Sequence, residues 1–407
     1  MSRFIIEGGR PLSGDICVSG SKNAALPIIF ASIAVHGVTT LYNLPNISDV
    51  DVALDIVKAF GAKIERFGHS VKIDANDLHY AVPSEELVSK IRASTYLLGA
   101  MLVRFGISLV RSFGGCNFGT RPIDMHLDAA GALGAAVDGI EVKADRLCGA
   151  DIFFDKISVG ATVNALIMTA GAVGISRIFG YAKEPHVISL AEFLRKAGAK
   201  IEFSERCITV FGTELTSASS YVIPDMIEAG TYACLSMLFG NKIRICGANS
   251  SELESFFKPF ISSGASFSKS KDYIIPLDKI KDSVDIVTAP YPEFPTDLQP
   301  QCAPVLAAYF GGSVTEGVWY NRFEYLNELS KFGIESELRT GCAKILKSNI
   351  RPSSVIAPDL RGGAALLLAA LYANGESVIE NSGLIKRGYA DIVDKLSHLG
   401  ASLYEIK

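Results

Sequence analysis

The sequence predicts an α/β protein built from six βαβ-type repeats of a helix–strand–helix–strand unit, grouped as two pseudo-symmetric domains of three. Two markers that keep step along the 407 residues predict it. The first is a glycine that closes an amphipathic stretch and opens an alternating one. It occurs in "AFGAKIERF" (Gly61), "ALGAAVDGI" (Gly134), "KAGAKIEFS" (Gly198), "SSGASFSKS" (Gly264), "KFGIESELR" (Gly333) and "HLGASLYEI" (Gly400). The intervals of roughly 64 to 73 residues are long for a solenoid but regular enough to mark a repeated unit.

The second marker is a small-residue apolar stretch that runs into glycine and then into a strand-like segment. In chain order these are "IIFASIAVHGVTTLYNL", "YLLGAMLVRFGISLV", "ALIMTAGAVGISRIFG", "YACLSMLFGNKIRICG", "VLAAYFGGSVTEG" and "LLLAALYANGESVIEN". Each apolar stretch reads as a helix hydrophobic nearly all round, and so buried. The glycine ends it by taking positive φ, and the β-branched residues that follow favour a strand. The second helix of each unit is amphipathic, as in "DVDVALDIVKAFG", and should keep one face in water.

Composition narrows the function. The chain is 49% hydrophobic and 20% charged, as expected of a packed globular protein. Its 39 Lys and Arg against 43 Asp and Glu leave a net charge of −4 and no basic stripe for nucleic acid. Any anion site must therefore be a local cluster. "MSRFIIEGGRPLSGD" lacks the apolar core of a signal peptide. The longest apolar run, "AALPIIFASIAV", contains Pro27 and falls short of the roughly 20 residues that span a bilayer, so a cytoplasmic protein is expected. The eight cysteines form no CxxC pair and read as reduced thiols, most of them small core residues.

Neither "GGRPLSG" nor "SVGAT" is a nucleotide-binding P-loop, and no G-x-G-x-x-G or HExxH occurs. Asp124 and His126 in "RPIDMH" stand close together, but two residues do not make a metal site, and a lone His here reads as a hydrogen-bonded structural group. What recurs is a cation beside small residues at segment starts: Lys22, Arg92, Arg121, Arg322, Arg361 and Arg387. Several stand where a buried helix begins, a position that attracts anions. Six cations at equivalent points of six repeats would suit a small, highly anionic ligand.

Over essentially its whole length the sequence resembles the enolpyruvyl transferase family. The likeness rests on "GGRPLSGDICVSGSKNAALP", "IRAS", "GGCNFGTRPIDMHLDA", "DKISVGAT", "EPHVISLAEFLRKAGAKI", "YPEFPTDLQPQ", "NRFEYLNEL", "PDLRGGAALLLAAL" and "RGYADIVDKLSHLGA". The resemblance implies an inside-out α/β barrel of six repeats in two domains, with 21–227 as one domain and 1–20 with 228–407 as the other. The chain would cross between them near Ser21 and near Asp225–Gly230. It also implies transfer of the enolpyruvyl group of phosphoenolpyruvate to the 3′-hydroxyl of UDP-N-acetylglucosamine with release of phosphate, the first committed step of peptidoglycan synthesis. No metal or organic cofactor is implied. The implied partners are the two substrates alone, with no nucleic acid and no membrane, in a monomer or weak homo-oligomer.

Carried over position by position, the resemblance makes Lys22, Arg92, Arg121 and Arg387 the phosphoenolpyruvate-binding cations. Asn23 becomes the sugar-binding amide, and Asp297 the carboxylate that orients and deprotonates the attacking hydroxyl. Arg121, Pro122, Ile123, Asp124, Met125, Lys156, Ser158, Val159, Gly160 and Val318 become the wall that holds UDP. Asp359 and Arg361 are expected to form an ion pair that shapes closure. Cys116 becomes the proton donor to C3, on a loop whose "GGC" glycines let it close over the substrates, with neighbouring cations lowering its pKa. The chain departs from the family pattern at Lys386, Ala390 and Tyr320, where acidic residues are usual, and carries Tyr96 where some members have Trp. Two other readings stay open: transfer to a different acceptor, such as another nucleotide or shikimate 3-phosphate, and a non-catalytic nucleotide-binding regulator. Phosphate release with each acceptor in turn separates them.

The role of Cys116 is directly testable. An epoxide phosphonate such as fosfomycin resembles phosphoenolpyruvate and should alkylate Cys116 alone among the eight cysteines, faster when UDP-N-acetylglucosamine is present. Peptide mapping that places the label on another cysteine would remove Cys116 from the reaction.

Overall fold

The computed structural model describes residues 2–109, 114, 122–240, 242–270 and 272–406. The chain divides into two compact units: Met1–Ser19 with Pro224–Lys407, and the continuous stretch Gly20–Ile223. Among the described residues each unit holds three small sheets. Five of the six sheets have four strands in one pattern, a parallel pair followed by two strands added antiparallel. The sixth, of Ile107–Leu109, Glu141–Lys143 and Ala136–Asp138, has three antiparallel strands.

The inner helices are those the apolar stretches predict. In the continuous unit they are Lys22–Ala31, Leu97–Phe105 and Val159–Gly171; in the other they are Met226–Leu238, Gln299–Ala308 and Leu360–Tyr372. Every described residue of Leu360–Leu371 is buried, as is every residue of Ile227–Leu238. Helices with no polar face pack on one another at the centre of each unit, and the sheets cover them. Strand His36–Tyr42 shows the matching alternation: Gly37, Thr39 and Leu41 point inward and their neighbours outward. The second helices, such as Ser48–Lys58 and Pro185–Lys196, bury one face only.

All six marker glycines lie in the left-handed region, from φ 83° at Gly333 to φ 119° at Gly198. This is the conformation that turns the chain from an outer helix into the next hairpin. The cysteines depart from expectation. Among the seven described, only Cys234 and Cys302 are buried. Cys17, Cys207, Cys246 and Cys342 lie on sheet strands and Cys148 in a bridge, where outward-facing positions leave them at least partly exposed.

Two strands are exchanged in sequence. Gly14–Cys17 pairs with Ile243–Cys246, although it leads into the helix Lys22–Ala31. Thr216–Tyr221 pairs with His36–Tyr42, although it leads into Met226–Leu238. The N-terminal strand Arg3–Gly8 sits between Gly375–Glu380 and Ser402–Ile406, completing the last repeat. Both passages of the chain are pinned by backbone hydrogen bonds. Asp225 N–H donates to Ser19 O at 2.9 Å in one unit, and Ser21 N–H donates to Ile223 O at 2.7 Å in the other.

Beside the first pin lies a buried ionic cluster. Glu228, 1% exposed, accepts from Ser19 N–H (2.7 Å), Tyr232 Oη (2.6 Å) and Lys395 Nζ (2.6 Å). Burial pushes its carboxyl above the usual range, against the pull of Lys395. Lys395→Met leaves this carboxylate without its cation and should cost ~3 kcal/mol at neutral pH. A carboxyl whose folded pKa is raised stabilises the fold when protonated, and that stability is lost as pH rises through the raised pKa. The deficit of the variant should therefore shrink as pH is lowered. Hydrogen exchange in Met226–Leu238, compared with wild type from pH 8 to 5, measures this; a deficit that does not change with pH would contradict it.

Candidate active site

In the unit formed by both chain ends, three polar groups gather at the ends of inner elements. Asp297 lies in a single turn, Thr296–Leu298, that leads into helix Gln299–Ala308. Arg322 follows the strand Gly312–Glu316, and Arg361 stands in the first turn of Leu360–Tyr372. Arg322 Nη1 donates to Asp297 Oδ1 at 2.7 Å, and Arg361 Nε and Nη2 both donate to Asp297 Oδ2 at 3.2 Å. The guanidiniums are 5% and 3% exposed, whereas the carboxylate between them is 32% exposed. Burial alone would raise the Asp297 pKa, but the two guanidiniums outweigh it and hold the carboxyl well below the usual carboxylate range.

The expected Asp359–Arg361 ion pair is not what forms. Asp359 is the N-cap of its helix, and its Oδ1 accepts the backbone N–H of Arg361 (2.8 Å) and of Gly362 (3.1 Å). Its carboxylate is spent on orphan helix donors, so the Arg361 guanidinium turns to Asp297 and lies over the Tyr389 ring, 5.5 Å from its centroid. Gln301 fixes the Asp297 turn from behind: its Nε2 donates to Asp297 O (2.9 Å) and to Tyr389 Oη (3.1 Å). Val318 is half-buried in the loop after Gly312–Glu316. Arg387 is half-buried at the end of the short helix Gly383–Lys386.

In the continuous unit, Lys22 opens helix Lys22–Ala31 with Asn23 next to it. Lys22 Nζ lies 2.6 Å from Asp49, which is 5% exposed. Arg92 starts the turn Arg92–Tyr96 that runs into Leu97–Phe105. Ser158 caps helix Val159–Gly171, its Oγ accepting from Ala161 N–H at 3.3 Å. Lys156 is exposed, as are Pro122 and Asp124, while Ile123 and Met125 are half-buried. The expected Cys116 and Arg121 lie outside the described residues.

His126 joins two of these groups. Its Nδ1 lies 2.7 Å from Asn164 Nδ2, whose amide is oriented by Gly99 N–H on Oδ1 (2.9 Å) and Thr95 O (3.0 Å). Asn164 therefore donates, Nδ1 accepts, and the neutral ring carries its proton on Nε2. A Cβ at Gly160 would come within 3.1 Å of this ring, so the first turn of Val159–Gly171 packs directly on it. Burial, and then the Arg92 charge, push its pKa down to about 4.

The five described cations are not at equivalent points of the repeats. Lys22 and Arg361 stand in the first turn of an inner helix, Arg92 precedes one by a turn, Arg322 lies in a loop, and Arg387 ends a helix. The helix–glycine rhythm repeats, but the connecting loops do not. Sequence reasoning passed over Asn164, Gln301, Glu316 and Tyr389. Asn164 and Gln301 carried a usable signal: a polar side chain inside an apolar inner helix must have a partner.

The family model of EPSP synthase (3-phosphoshikimate 1-carboxyvinyltransferase) matches residues 6–396. A UDP-N-acetylglucosamine 1-carboxyvinyltransferase 3 from Caldanaerobacter subterraneus subsp. tengcongensis is 38% identical, with 100% of each chain covered. A UDP-N-acetylglucosamine 1-carboxyvinyltransferase from Halothermothrix orenii is 40% identical, again with 100% of each covered. Among solved structures, the enolpyruvyl transferase NikO from Streptomyces tendae superposes with a TM-score of 0.89 at 26% identity, covering 100% of this chain and 99% of that one. EPSP synthase from Acinetobacter baumannii shares the fold, with a TM-score of 0.76 at 14% identity and 100% of both chains covered.

Because the folded state holds His126 neutral, it should lose stability as pH falls from about 6.5 to about 4. Above that window the ring is neutral folded or unfolded; within it the unfolded chain alone is protonated, and below it both states are. The full loss is ~3 kcal/mol by the size of the shift. Hydrogen exchange in Val159–Gly171 should show this slope in the wild type and lose it in His126→Gln; a slope that survives the substitution would assign it to another group.

Proposed function

We infer the reaction from one premise: the chain belongs to the enolpyruvyl transferase family represented by EPSP synthase (3-phosphoshikimate 1-carboxyvinyltransferase). It transfers the enolpyruvyl group of phosphoenolpyruvate to the 3′-hydroxyl of UDP-N-acetylglucosamine and releases inorganic phosphate, a step of peptidoglycan synthesis. The observation that carries this is identity of 38–40% over full length with enzymes named for that amino-sugar nucleotide. No helix among the described residues is long and apolar enough to cross a membrane, and we place the reaction in the cytoplasm.

The reaction is an addition followed by an elimination. The 3′-oxygen bonds to C2 of phosphoenolpyruvate while C3 gains a proton. C3 then gives up a proton, the C2–O bond to phosphate breaks, and the double bond returns. We assign the hydroxyl to Asp297. Both its oxygens accept from guanidiniums, yet a third of the side chain stays open, so one face is left for a substrate O–H. Its depressed pKa makes it a poor base toward a free alcohol. Asp297 therefore orients the hydroxyl first and takes its proton as the bond to C2 forms, when that proton has become acidic. Lys22, Arg92, Arg121 and Arg387 are assigned to the carboxylate and phosphate of phosphoenolpyruvate, where charge-assisted contacts in a dry site are strong. Ser158 caps a helix of 13 residues that Val159 and Gly160 begin, and a helix N-terminus suits the diphosphate. Pro122, Ile123, Asp124, Met125, Lys156 and Val318 complete the nucleotide wall, Asn23 takes the sugar, and Cys116 donates the proton to C3.

Purified protein given phosphoenolpyruvate should release phosphate with UDP-N-acetylglucosamine and not with shikimate 3-phosphate; the reverse preference would overturn the acceptor. Asp297→Asn keeps the shape but faces two buried guanidiniums with a neutral amide. It should lower kcat by about 100-fold or more while phosphoenolpyruvate still binds. A loss smaller than about threefold would take Asp297 out of the reaction.

A further inference from the structure

Glu316 ends the strand Gly312–Glu316 and is completely buried. Its four acceptor bonds have one donor each. Oε1 accepts from Thr288 Oγ1 (2.6 Å), Val318 N–H (2.9 Å) and Trp319 N–H (3.0 Å). Oε2 accepts from Thr296 Oγ1 at 2.9 Å. Thr288 Oγ1 in turn accepts from Gly317 N–H at 3.0 Å, so the backbone from Gly317 to Trp319 is held by one carboxylate and its partner.

The second oxygen leads to the reacting group. Thr296 gives its proton to Glu316, which leaves its own lone pairs facing Arg322. Arg322 Nη1 donates to Thr296 Oγ1 at 3.0 Å and to Asp297 Oδ1 at 2.7 Å. The order of donors and acceptors is thus fixed from Glu316 through Thr296 and Arg322 to Asp297. A buried carboxylate is costly to desolvate, and folding alone does not call for one at this strand end.

We propose that Glu316 is a positioning residue for the transfer reaction, setting the Asp297 carboxylate through Thr296 and Arg322 and the nucleotide-facing loop through the amides of Val318 and Trp319. The role rests on the reaction proposed above. A carboxylate presents acceptors to all four donors. In Glu316→Gln, Oε1 can still hold the loop, but the amide nitrogen presents a donor to Thr296. The Thr296 hydroxyl must then turn, and Arg322 loses the lone pair that aims it.

The test is steady-state kinetics with phosphoenolpyruvate and UDP-N-acetylglucosamine on wild type, Glu316→Gln, Thr296→Val and the double variant, with melting temperatures. Glu316→Gln should lower kcat about 10- to 100-fold and raise the KM for the sugar nucleotide about 3- to 10-fold, with the KM for phosphoenolpyruvate within about twofold. Thr296→Val cuts only the branch to Arg322, so kcat should fall while the sugar-nucleotide KM stays near wild type. The double variant should be no slower than the slower single variant. An active wild type whose Glu316→Gln variant keeps kcat and both KM values within about threefold overturns the role alone. So does a variant in which both KM values and the melting temperature change together. If Glu316→Gln does not fold, an unchanged kcat in Thr296→Val overturns it. A wild type inactive on this substrate pair overturns the reaction and the role with it.

Discussion

Inner helices without a water-facing side can present polar groups only at their ends, and this constraint organises the molecule. The first turn of a buried helix brings backbone N–H groups with no internal partner. Asp225, Asp359 and Ser158 meet that need as side-chain caps. The same ends carry Arg361, Lys22 and the Ser158–Gly160 turn, so helix capping and the anion binding proposed above fall at one kind of place.

Where a polar side chain does sit within such a helix, it is tied into a network. Asn164 orients His126 and the turn before Leu97–Phe105. Glu228 joins the start of its helix to Ser19 and Lys395. Gln301 links the Asp297 turn to Tyr389 and Thr231. None of these groups faces the solvent, so each has a fixed direction, and direction is what a site for a small, doubly anionic substrate requires.

The repeat was legible because its two markers are local physics: an all-apolar helix and a glycine at positive φ. Gly61 and Gly400 lie 339 residues apart and take nearly the same φ, 94° and 98°. The pairing of charges was not legible. Asp359 and Arg361 are two residues apart and invite an ion pair on paper, yet Asp359 is consumed by its own helix and Arg361 meets Asp297, 64 residues away. Sequence spacing reports neighbours along the chain, whereas a buried guanidinium goes to the acceptor that the fold leaves unspent. Glu316 was invisible for a related reason. A single acidic residue at a strand end looks like any solvated charge until the four donors around it are seen.

The placement of strand Arg3–Gly8 has a consequence for synthesis. Its partners on both sides, Gly375–Glu380 and Ser402–Ile406, are translated long after it. At about 5–20 residues per second, the ribosome takes roughly 20–70 s to reach them. Through that interval a strand with two unsatisfied edges waits on the nascent chain, while Gly20–Ile223 is a continuous segment that can already be folding. The unit that contains this strand closes only after Ser402–Ile406 has been made, so its assembly trails that of Gly20–Ile223. A message cut short of Gly375 would leave one unit able to fold and the other open at its first strand.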